Sequence, residues 1–274
     1  MIHRRETDSI RRVMLGACVA AALFSFNASA ETGSGAASDV AIHVNVLGLA
    51  QLDVDPQAAV SFENASDPTS VQDGVPSIDL GNTLIHLTAG VSNSEAEFAP
   101  GPTWSATVAS TSIVNLDLSA VDALGGGLLS IGADLIQSQS AILGYCIAAR
   151  SALNRTSDLD DISFFNGFDE GNLYAGFPGD ENGGNVVLEN PGISILGIPI
   201  SGLPSLPPPN TSIDLAAQGI AGATLILNEQ TISGDGVGWS RMTANAIHLT
   251  LDVAGLITAD VTVGHTDAKL DCTQ

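Results

Sequence analysis

Short runs of alternating apolar and polar residues are the dominant pattern along this chain. Ile42, Val44 and Val46 alternate with His43 and Asn45, which is the period of two typical of a half-buried strand. Similar runs recur at 51–55, 77–80, 83–88, 103–110, 112–118, 128–143, 193–200, 224–227, 239–243, 246–253 and 256–265. No segment keeps a period of 3.6 residues. We therefore expect an all-β protein, a mainly antiparallel sandwich or barrel with little helix.

The landmarks of the C-terminal stretch occur once before in the same order. They are Trp239-Ser240, Leu249-Thr250-Leu251, Ala259-Asp260 and Cys272, which match Trp104-Ser105, Leu116-Asp117-Leu118, Ala133-Asp134 and Cys146 at offsets of 135, 133, 126 and 126 residues. This order predicts an internal duplication. We expect a β repeat over 41–146, an acidic Gly/Asn-rich linker or loop over 147–185, and a second β repeat over 186–274. The repeats could be two domains or one shared sheet system.

The N-terminal residues have the pattern of an export signal. Four arginines precede an apolar run at 13–24, and Ala28-Ser29-Ala30 resembles a cleavage site, so residues 1–30 are predicted to be a signal peptide. The apolar run is too short to span a bilayer, and we expect no transmembrane segment in the mature chain. The general secretory and twin-arginine routes both stay open. Residues 31–40 are small and polar and predict a flexible lead-in.

The charge balance limits the possible partners. The chain carries a net charge of −22, and removal of residues 1–30 leaves four basic and 28 acidic residues. So few cations cannot neutralise a phosphate backbone, which argues against a nucleic-acid partner. The partner is otherwise unknown, with envelope or matrix components as candidates.

Two cysteines remain after residue 30, and each ends one repeat. In an exported protein such a pair predicts a disulfide between Cys146 and Cys272. Two free thiols are the alternative.

Three motifs in the second repeat resemble a known family. Leu227-Asn228-Glu229-Gln230, then Thr243–Leu251, and Val263-Gly264-His265 before Cys272 are similar to the choice-of-anchor P family of bacterial surface proteins. The resemblance implies an exported, β-rich protein and no established reaction. Its motif positions here are Asn228, Glu229, Gln230, Asn245 and His248. The chain ends at Asp271–Gln274 without a sorting motif or apolar tail, so covalent surface anchoring is not expected.

Catalytic motifs are not evident in the sequence. The histidines His43, His86, His248 and His265 each lie in a predicted strand without metal-ligand spacing, which favours structural roles. No nucleophile elbow and no phosphate-binding loop is present. We therefore predict that the protein is not an enzyme and has no resident cofactor.

Calcium is the one ion for which the composition offers ligands. The stretch between the repeats contains Asp158, Asp160, Asp161, Asp169, Glu170, Asp180 and Glu181. Calcium prefers six to eight oxygen ligands on a loop that can bend. The spacing does not fit an EF-hand, so a solvated acidic loop is the competing interpretation.

These patterns predict an exported structural, adhesive or envelope-associated β protein without catalysis. It would be periplasmic, secreted or on the cell surface. The alternative is a calcium-assisted binding module for an envelope glycan or a partner protein. A hydrolase with paired carboxylates is a third class, and it requires two acids about 5–10 Å apart in a cleft.

Overall fold

The protein folds as strands throughout the part of the chain that can be described. The computed structural model describes residues 31–46, 50–81, 85–100, 105–120, 127–144, 173–177, 180–234, 238–253, 255 and 257–272. In these ranges no α-helix occurs, and the helical structure is a 3-10 turn at Ala216–Gln218. The strand pairings are antiparallel. The expected all-β, antiparallel fold is confirmed.

The strands are numbered in chain order. In the first half they are β1 Glu31–Val46, β2 Ala50–Val54, β3 Ala59–Ala65, β4 Thr69–Val75, β5 Ile78–Gly81, β6 Ile85–Ala89, β7 Ser92–Pro100, β8 Ser105–Ala120 and β9 Leu129–Gly144. In the second half they are β10 Leu173–Phe177, β11 Asp180–Glu189, β12 Gly192–Ile195, β13 Ile198–Pro199, β14 Thr211–Ile213, β15 Ala223–Gly234, β16 Trp239–Val253 and β17 Ile257–Cys272.

Two sheets pack face to face around an aliphatic core. Sheet A has the order β14-β15-β16-β17-β1-β2, with β3 also on β1. Sheet B has the order β10-β11-β9-β8-β6-β5, and β7 continues β6 along β8 while β4, β12 and β13 extend its edges. Most of the buried Ile, Leu and Val side chains of both sheets form one cluster. Alternation along the strands produces this sandwich, because every second side chain points between the sheets.

The two predicted repeats share this core and are not separate domains. Sheet A joins the last strands of the chain to β1–β3, while sheet B joins the hairpin β8–β9 to β11 and β12. Each repeat therefore places its first strands on the last strand of the other, β1 on β17 and β11 with β12 on β9. This reciprocal exchange gives the two sheets matching strand orders, as a duplication would.

The predicted flexible lead-in at 31–40 is wrong. Strand β1 begins at Glu31 and pairs with β17 from Glu31–Cys272 to Val46–Ile257. Its small residues are required by close packing. A Cβ atom on Gly33 would lie 2.2 Å from Phe98 Cδ2, and one on Gly35 would lie 3.1 Å from the Cβ of Ala96. A composition that resembles a linker here reflects the lack of space between the sheets.

The predicted linker at 147–185 also needs correction at its C-terminal end. Strand β10 and the first residues of β11 lie within it, and both belong to sheet B. The rest of that segment, 147–172 and 178–179, lies outside the described residues. The pairing of β11 with β9 extends sheet B beyond the first repeat.

A row of kinks crosses each sheet. In sheet A, Leu227 pairs with Ile247 and Glu229 with Asn245, but the register skips Asn228 and its opposite residue. The same skip continues through β17 and β1. The kink residues are Asn228, Ala246, Gly264 and Asp39 in sheet A, and Gly90, Asn115, Asp134 and Asn190 in sheet B. Positive φ angles occur at Asn228 (51°), Gly264 (67°), Asn115 (52°) and Asn190 (49°), a conformation that Asn and Gly tolerate best.

The kinks exchange the inward and outward sides of each strand. In β16 the buried positions are Met242 and Ala244 before the kink but Ile247 and Leu249 after it. The core has one large aliphatic cluster on one side of the rows. On the other side it has two smaller clusters, one around Phe98 and Met242 and one of alanines. On that second side the sheets hydrogen-bond directly, since Thr107 Oγ1 donates to the Lys269 carbonyl at 3.1 Å.

The kink rows also correct the alignment of the repeats. By position relative to the kinks, Asn115 of the first repeat is equivalent to Ala246 of the second, an offset of 131 residues. Asp134 is likewise equivalent to Gly264, an offset of 130. The sequence landmarks give offsets of 135 and 133 residues around the first of these strands and 126 residues around the second. The differences are even numbers, and a shift by two residues leaves the inward and outward pattern of a strand unchanged. Residue identities alone could not detect such a slide.

Candidate functional site

The family-motif residues divide between the two faces of sheet A. Glu229, Asn245 and His248 lie together on the outward face, whereas Asn228 and Gln230 are buried between the sheets. The kink at Asn228 causes this division, because it breaks the alternation between neighbouring motif residues. The sequence pattern alone could not assign these residues to opposite faces of the sheet.

The outward residues form a chain of hydrogen bonds across β15, β16 and β17. The Asn245 amide donates to Glu229 Oε2 at 2.7 Å, and His248 Nδ1 lies 2.7 Å from the same oxygen. On its other side, His248 Nε2 lies 3.3 Å from Asp260 Oδ1. His265 Nδ1 lies 2.7 Å from Asn245 Oδ1, and because that oxygen is an acceptor the imidazole must donate. We call Glu229, Asn245, His248, Asp260 and His265 the sheet A network.

The surroundings of His265 favour its neutral form. Burial lowers its pKa below the ordinary value, and the nearby Arg241 acts in the same direction. The carboxylates of Asp267 and Glu229 oppose the shift without cancelling it. Neutral His265 can still donate from Nδ1, so the network does not need its positive charge.

The inward residues tie the two sheets together. The Gln230 amide donates to the carbonyl of Gly184 in β11 at 2.9 Å and to Asn228 Oδ1 at 2.7 Å. The Asn228 amide donates to the carbonyl of Pro207 at 2.8 Å. These contacts give Asn228 and Gln230 a structural role, since buried amides stabilise a fold when they are hydrogen-bonded.

The outward face of sheet B contains a groove of about 440 Å³. One row of side chains crosses it in direct register from β4 to β11: Gln72, Glu95, Ser110, Gln139 and Asn185. A second row runs beside it from β7 to β11: Asn93, Ser112, Gln137 and Val187. Cross-strand neighbours on one face of a sheet lie close enough to contact the same ligand.

The outward amide and hydroxyl groups of the groove are uncommitted, whereas the buried Thr111 and Ser138 hydroxyls of its lining are hydrogen-bonded. Within the described part of the chain, no hydrogen bond engages the side chains of Ser110, Ser112, Gln137, Gln139 or Asn185. In the sheet A network, by contrast, each polar group faces another. Unpaired donors and acceptors on a fixed surface are available to a ligand.

One carboxylate borders the groove. Partial burial raises the pKa of Glu95, and the neighbouring Glu97 adds to this through its charge and a shared hydrogen bond. Ser70 Oγ donates to Glu97 Oε1 at 3.2 Å. Because the described residues of the groove lining include no Lys, Arg or His, its electrostatic character is neutral to negative.

The equivalent surface of sheet A is closed by ion pairs. Arg241 is equivalent to Ser110 of the groove, because each lies five residues before the kink of its strand. Asp267 is equivalent to Gln137, because each lies three residues after the kink of its strand. Arg241 Nε donates to Asp267 Oδ2 at 2.9 Å. Lys269, which matches Gln139, lies 2.6 Å from Asp271 and 5.8 Å from the centre of the Trp239 ring. On sheet A, long charged side chains therefore cover the surface that corresponds to the groove of sheet B.

The predicted metal ligands and cysteines can be compared with the structure only in part. Among them, no group of three or more His, Cys, Asp and Glu side chains could hold a metal ion. The calcium candidates Asp158, Asp160, Asp161, Asp169 and Glu170 lie outside the described ranges, and for Asp180 and Glu181 only the strand backbone is described. Cys146 is outside as well, and only the backbone of Cys272 is described. The calcium site and the disulfide stay predictions.

The groove residues were not identified from the sequence. A signal was present, since Ser110 and Ser112 in β8 and Gln137 and Gln139 in β9 occupy alternate positions in strands rich in apolar residues. Alternation alone places them outside, but it does not show that they meet. That depends on the register of β8 with β9 and β11.

Comparisons with known proteins found remote structural similarity alone. No family model matches the chain, and no curated protein matches it. Ail, the attachment invasion locus protein of Yersinia pestis, is 6% identical with a TM-score of 0.16, over 88% of this chain and 99% of that one. The translocator domain of the autotransporter NalP from Neisseria meningitidis is 9% identical with a TM-score of 0.16, over 96% and 97%. Neither similarity bears on function at these scores.

No helix in the described ranges is long and apolar enough to traverse a bilayer.

Proposed function

We propose that this is an exported, envelope-associated or adhesive β protein that acts by binding and not by catalysis, with the groove on sheet B as its binding surface. The observation that carries the proposal is the set of uncommitted amide and hydroxyl side chains in a groove of about 440 Å³. Export rests on the predicted signal peptide, and the resemblance to the choice-of-anchor P family supports an envelope location.

The groove is built on a rigid part of the molecule. Its central strands β8 and β9 are each paired on both sides, so their main-chain groups are satisfied within the sheet. Inward side chains beneath the groove are buried, including Ile113 and Ile136, both at 0% exposure. A binding surface on such strands is pre-organised and loses little conformational entropy on binding.

The sheet A network supports a structural role more than a catalytic one. His248 is flanked by Glu229 and Asp260, an arrangement that could move a proton. Within the described residues the partners of His248 are carboxylates, and no hydroxyl or thiol nucleophile is bonded to it. The network joins three strands of sheet A across the kink row.

The test is a charge introduced at matched positions of the two sheets. Ser112→Arg places a long cation in the groove. Thr243→Arg places one at the equivalent position of sheet A, because both residues lie three positions before the kink of their strand. Both side chains point outward. We expect labelled mature protein to attach to isolated envelopes of the organism that encodes it, Ser112→Arg to lose most attachment, and Thr243→Arg to keep it.

Equal attachment by both variants would show that the groove is not the binding surface. Repeating the assay with a calcium chelator tests the calcium-assisted alternative. Loss of attachment by the unmodified protein in chelator, with recovery in calcium, would make the acidic segment a necessary part of binding.

A further inference from the structure

The chemistry of the groove indicates the class of ligand, an inference that rests on the proposed function of the groove as a binding site. We infer that the groove binds a neutral, linear glycan that lies across strands β4, β7, β8, β9 and β11 and is held by amide and hydroxyl side chains. The groove presents both hydrogen-bond donors and hydrogen-bond acceptors, because Asn and Gln amides and Ser hydroxyls can act in either role. Sugar hydroxyls require the same combination.

The dimensions of the groove suit a chain of sugars better than one sugar. The first row crosses five strands in register, from Gln72 to Asn185. Four interstrand spacings of about 4.8 Å give a length of roughly 19 Å. Side chains repeat at each strand, so a ligand with repeating hydroxyl groups can bond along the whole length.

The charges around the groove select against anionic ligands. Glu95 lines the groove, Glu97 lies beside it, and no cation occurs among the lining residues that the structure describes. The whole chain has a net charge of −22. Like charges raise the free energy of bringing an anionic chain to this face. Uronic-acid or sulfated chains are therefore disfavoured relative to neutral ones.

A peptide ligand fits the same surface less well. Peptides commonly add to an exposed sheet edge through their main chain, or insert apolar anchors into pockets. The groove lies on the face of paired strands, and its apolar lining is limited to Val187 among the described residues. No aromatic residue lines the groove either, so sugar binding would depend on hydrogen bonds. Each such bond contributes little net free energy, because it replaces a hydrogen bond to water, which predicts weak affinity for a single groove.

The experiment is an NMR titration of the mature protein, residues 31–274, with sugar hexamers of one length. The neutral probes are cellohexaose, maltohexaose and N-acetylchitohexaose, and the anionic probe is hexagalacturonate. We expect at least one neutral hexamer to shift resonances of β8 and β9 at millimolar concentration. Gln139→Ala and Asn185→Ala should each weaken binding about fivefold to tenfold through the loss of hydrogen bonds.

Variants with native melting curves keep the result interpretable. Thr243→Arg should bind the neutral hexamer like the unmodified protein, and Ser112→Arg should not bind it. Glu95→Gln should improve binding of hexagalacturonate, because it removes a repelling charge. Tighter binding of hexagalacturonate than of every neutral hexamer by the unmodified protein, or no neutral binding at millimolar concentration, would overturn the inference.

The outcomes separate the ligand class from the proposed function. If Ser112→Arg loses envelope attachment while no neutral hexamer binds, the groove is a binding site for another class of ligand. If Ser112→Arg retains both envelope attachment and glycan binding, the groove is not the site and both proposals are wrong.

Discussion

The outward faces of the two sheets are built on the same strand order but have opposite surface chemistry. At the positions three and five residues from the kinks, sheet A carries Arg241, Asp267 and Lys269, which form ion pairs. The equivalent residues of sheet B are Ser110, Gln137 and Gln139, whose side chains form no hydrogen bonds within the described part of the chain. One residue from the kinks, sheet A has Asn245 and His265, and sheet B has Val114 and Leu135. The comparison teaches that two faces of one architecture can be self-satisfied or open, depending on a few outward positions.

The largest expected effect concerns the kink rows themselves. Asp39 in sheet A is 1% exposed, and its carboxylate accepts hydrogen bonds from the Val40, Gln57 and Ala58 backbone amides and from Ser92 Oγ, at 2.7–3.0 Å. Asp39→Ala would leave these buried donors unpaired. Since each of the four donors costs about 1–3 kcal/mol when it is left unpaired, we expect a loss of at least about 4 kcal/mol in the free energy of unfolding, measured by urea denaturation.

The equivalent residue of sheet B serves as the control. Asn190 is exposed and donates to Asp134 at 2.6 Å. Asn190→Ala should cost about 1–2 kcal/mol, mainly because its φ of 49° is unfavourable for Ala. A loss at Asn190 as large as that at Asp39 would show that the two kink rows are energetically alike, against the comparison.

The next effect tests whether ion pairs close the face of sheet A. The double variant Ser110→Arg/Gln137→Asp copies the Arg241–Asp267 pair into the groove. Exposed ion pairs contribute about 0–1 kcal/mol, so the melting temperature should stay close to that of the unmodified protein. Envelope attachment and glycan binding should fall at least tenfold, measured in the two binding assays. Unchanged binding with the ion pair in place would show that ligand binding does not depend on an open groove.

The smallest effect is the pH dependence of sheet A. The pKa of His265 is lowered from its ordinary value of 6.5, so the unfolded chain binds more protons than the folded one below that pH. His265 therefore contributes stability that is fully present above pH 6.5 and is lost as pH falls through its folded pKa. His265→Leu, which copies Leu135 of sheet B, should reduce the fall of the unfolding free energy between neutral and acidic pH. An unchanged pH profile would assign that fall to other groups.

Much of the fold follows from the sequence pattern, and the errors have identifiable causes. Alternation predicted the strands, and Leu128–Leu143 was recognised as a strand, which the structure gives as Leu129–Gly144. Residues 31–40 were misinterpreted because Gly33 and Gly35 look like linker residues when their packing against Phe98 and Ala96 is unknown. The candidate site was only partly predictable. Three of the motif residues, Glu229, Asn245 and His248, meet on the outward face of sheet A, but the groove on sheet B depends on register across five strands.

The amino-acid sequence by itself determined the all-β class, the repeated landmarks and the acidic character of the chain, because these depend on local alternation and on composition. The tertiary structure decided the exchange of first strands between repeats, the side on which Glu229 and Gln230 lie, and the meeting of Ser110, Gln139 and Asn185. The physical reason is that strand pairing joins residues far apart in the chain. A pattern with a period of two specifies which face a residue shares with its neighbours, but not which strand comes to lie beside it.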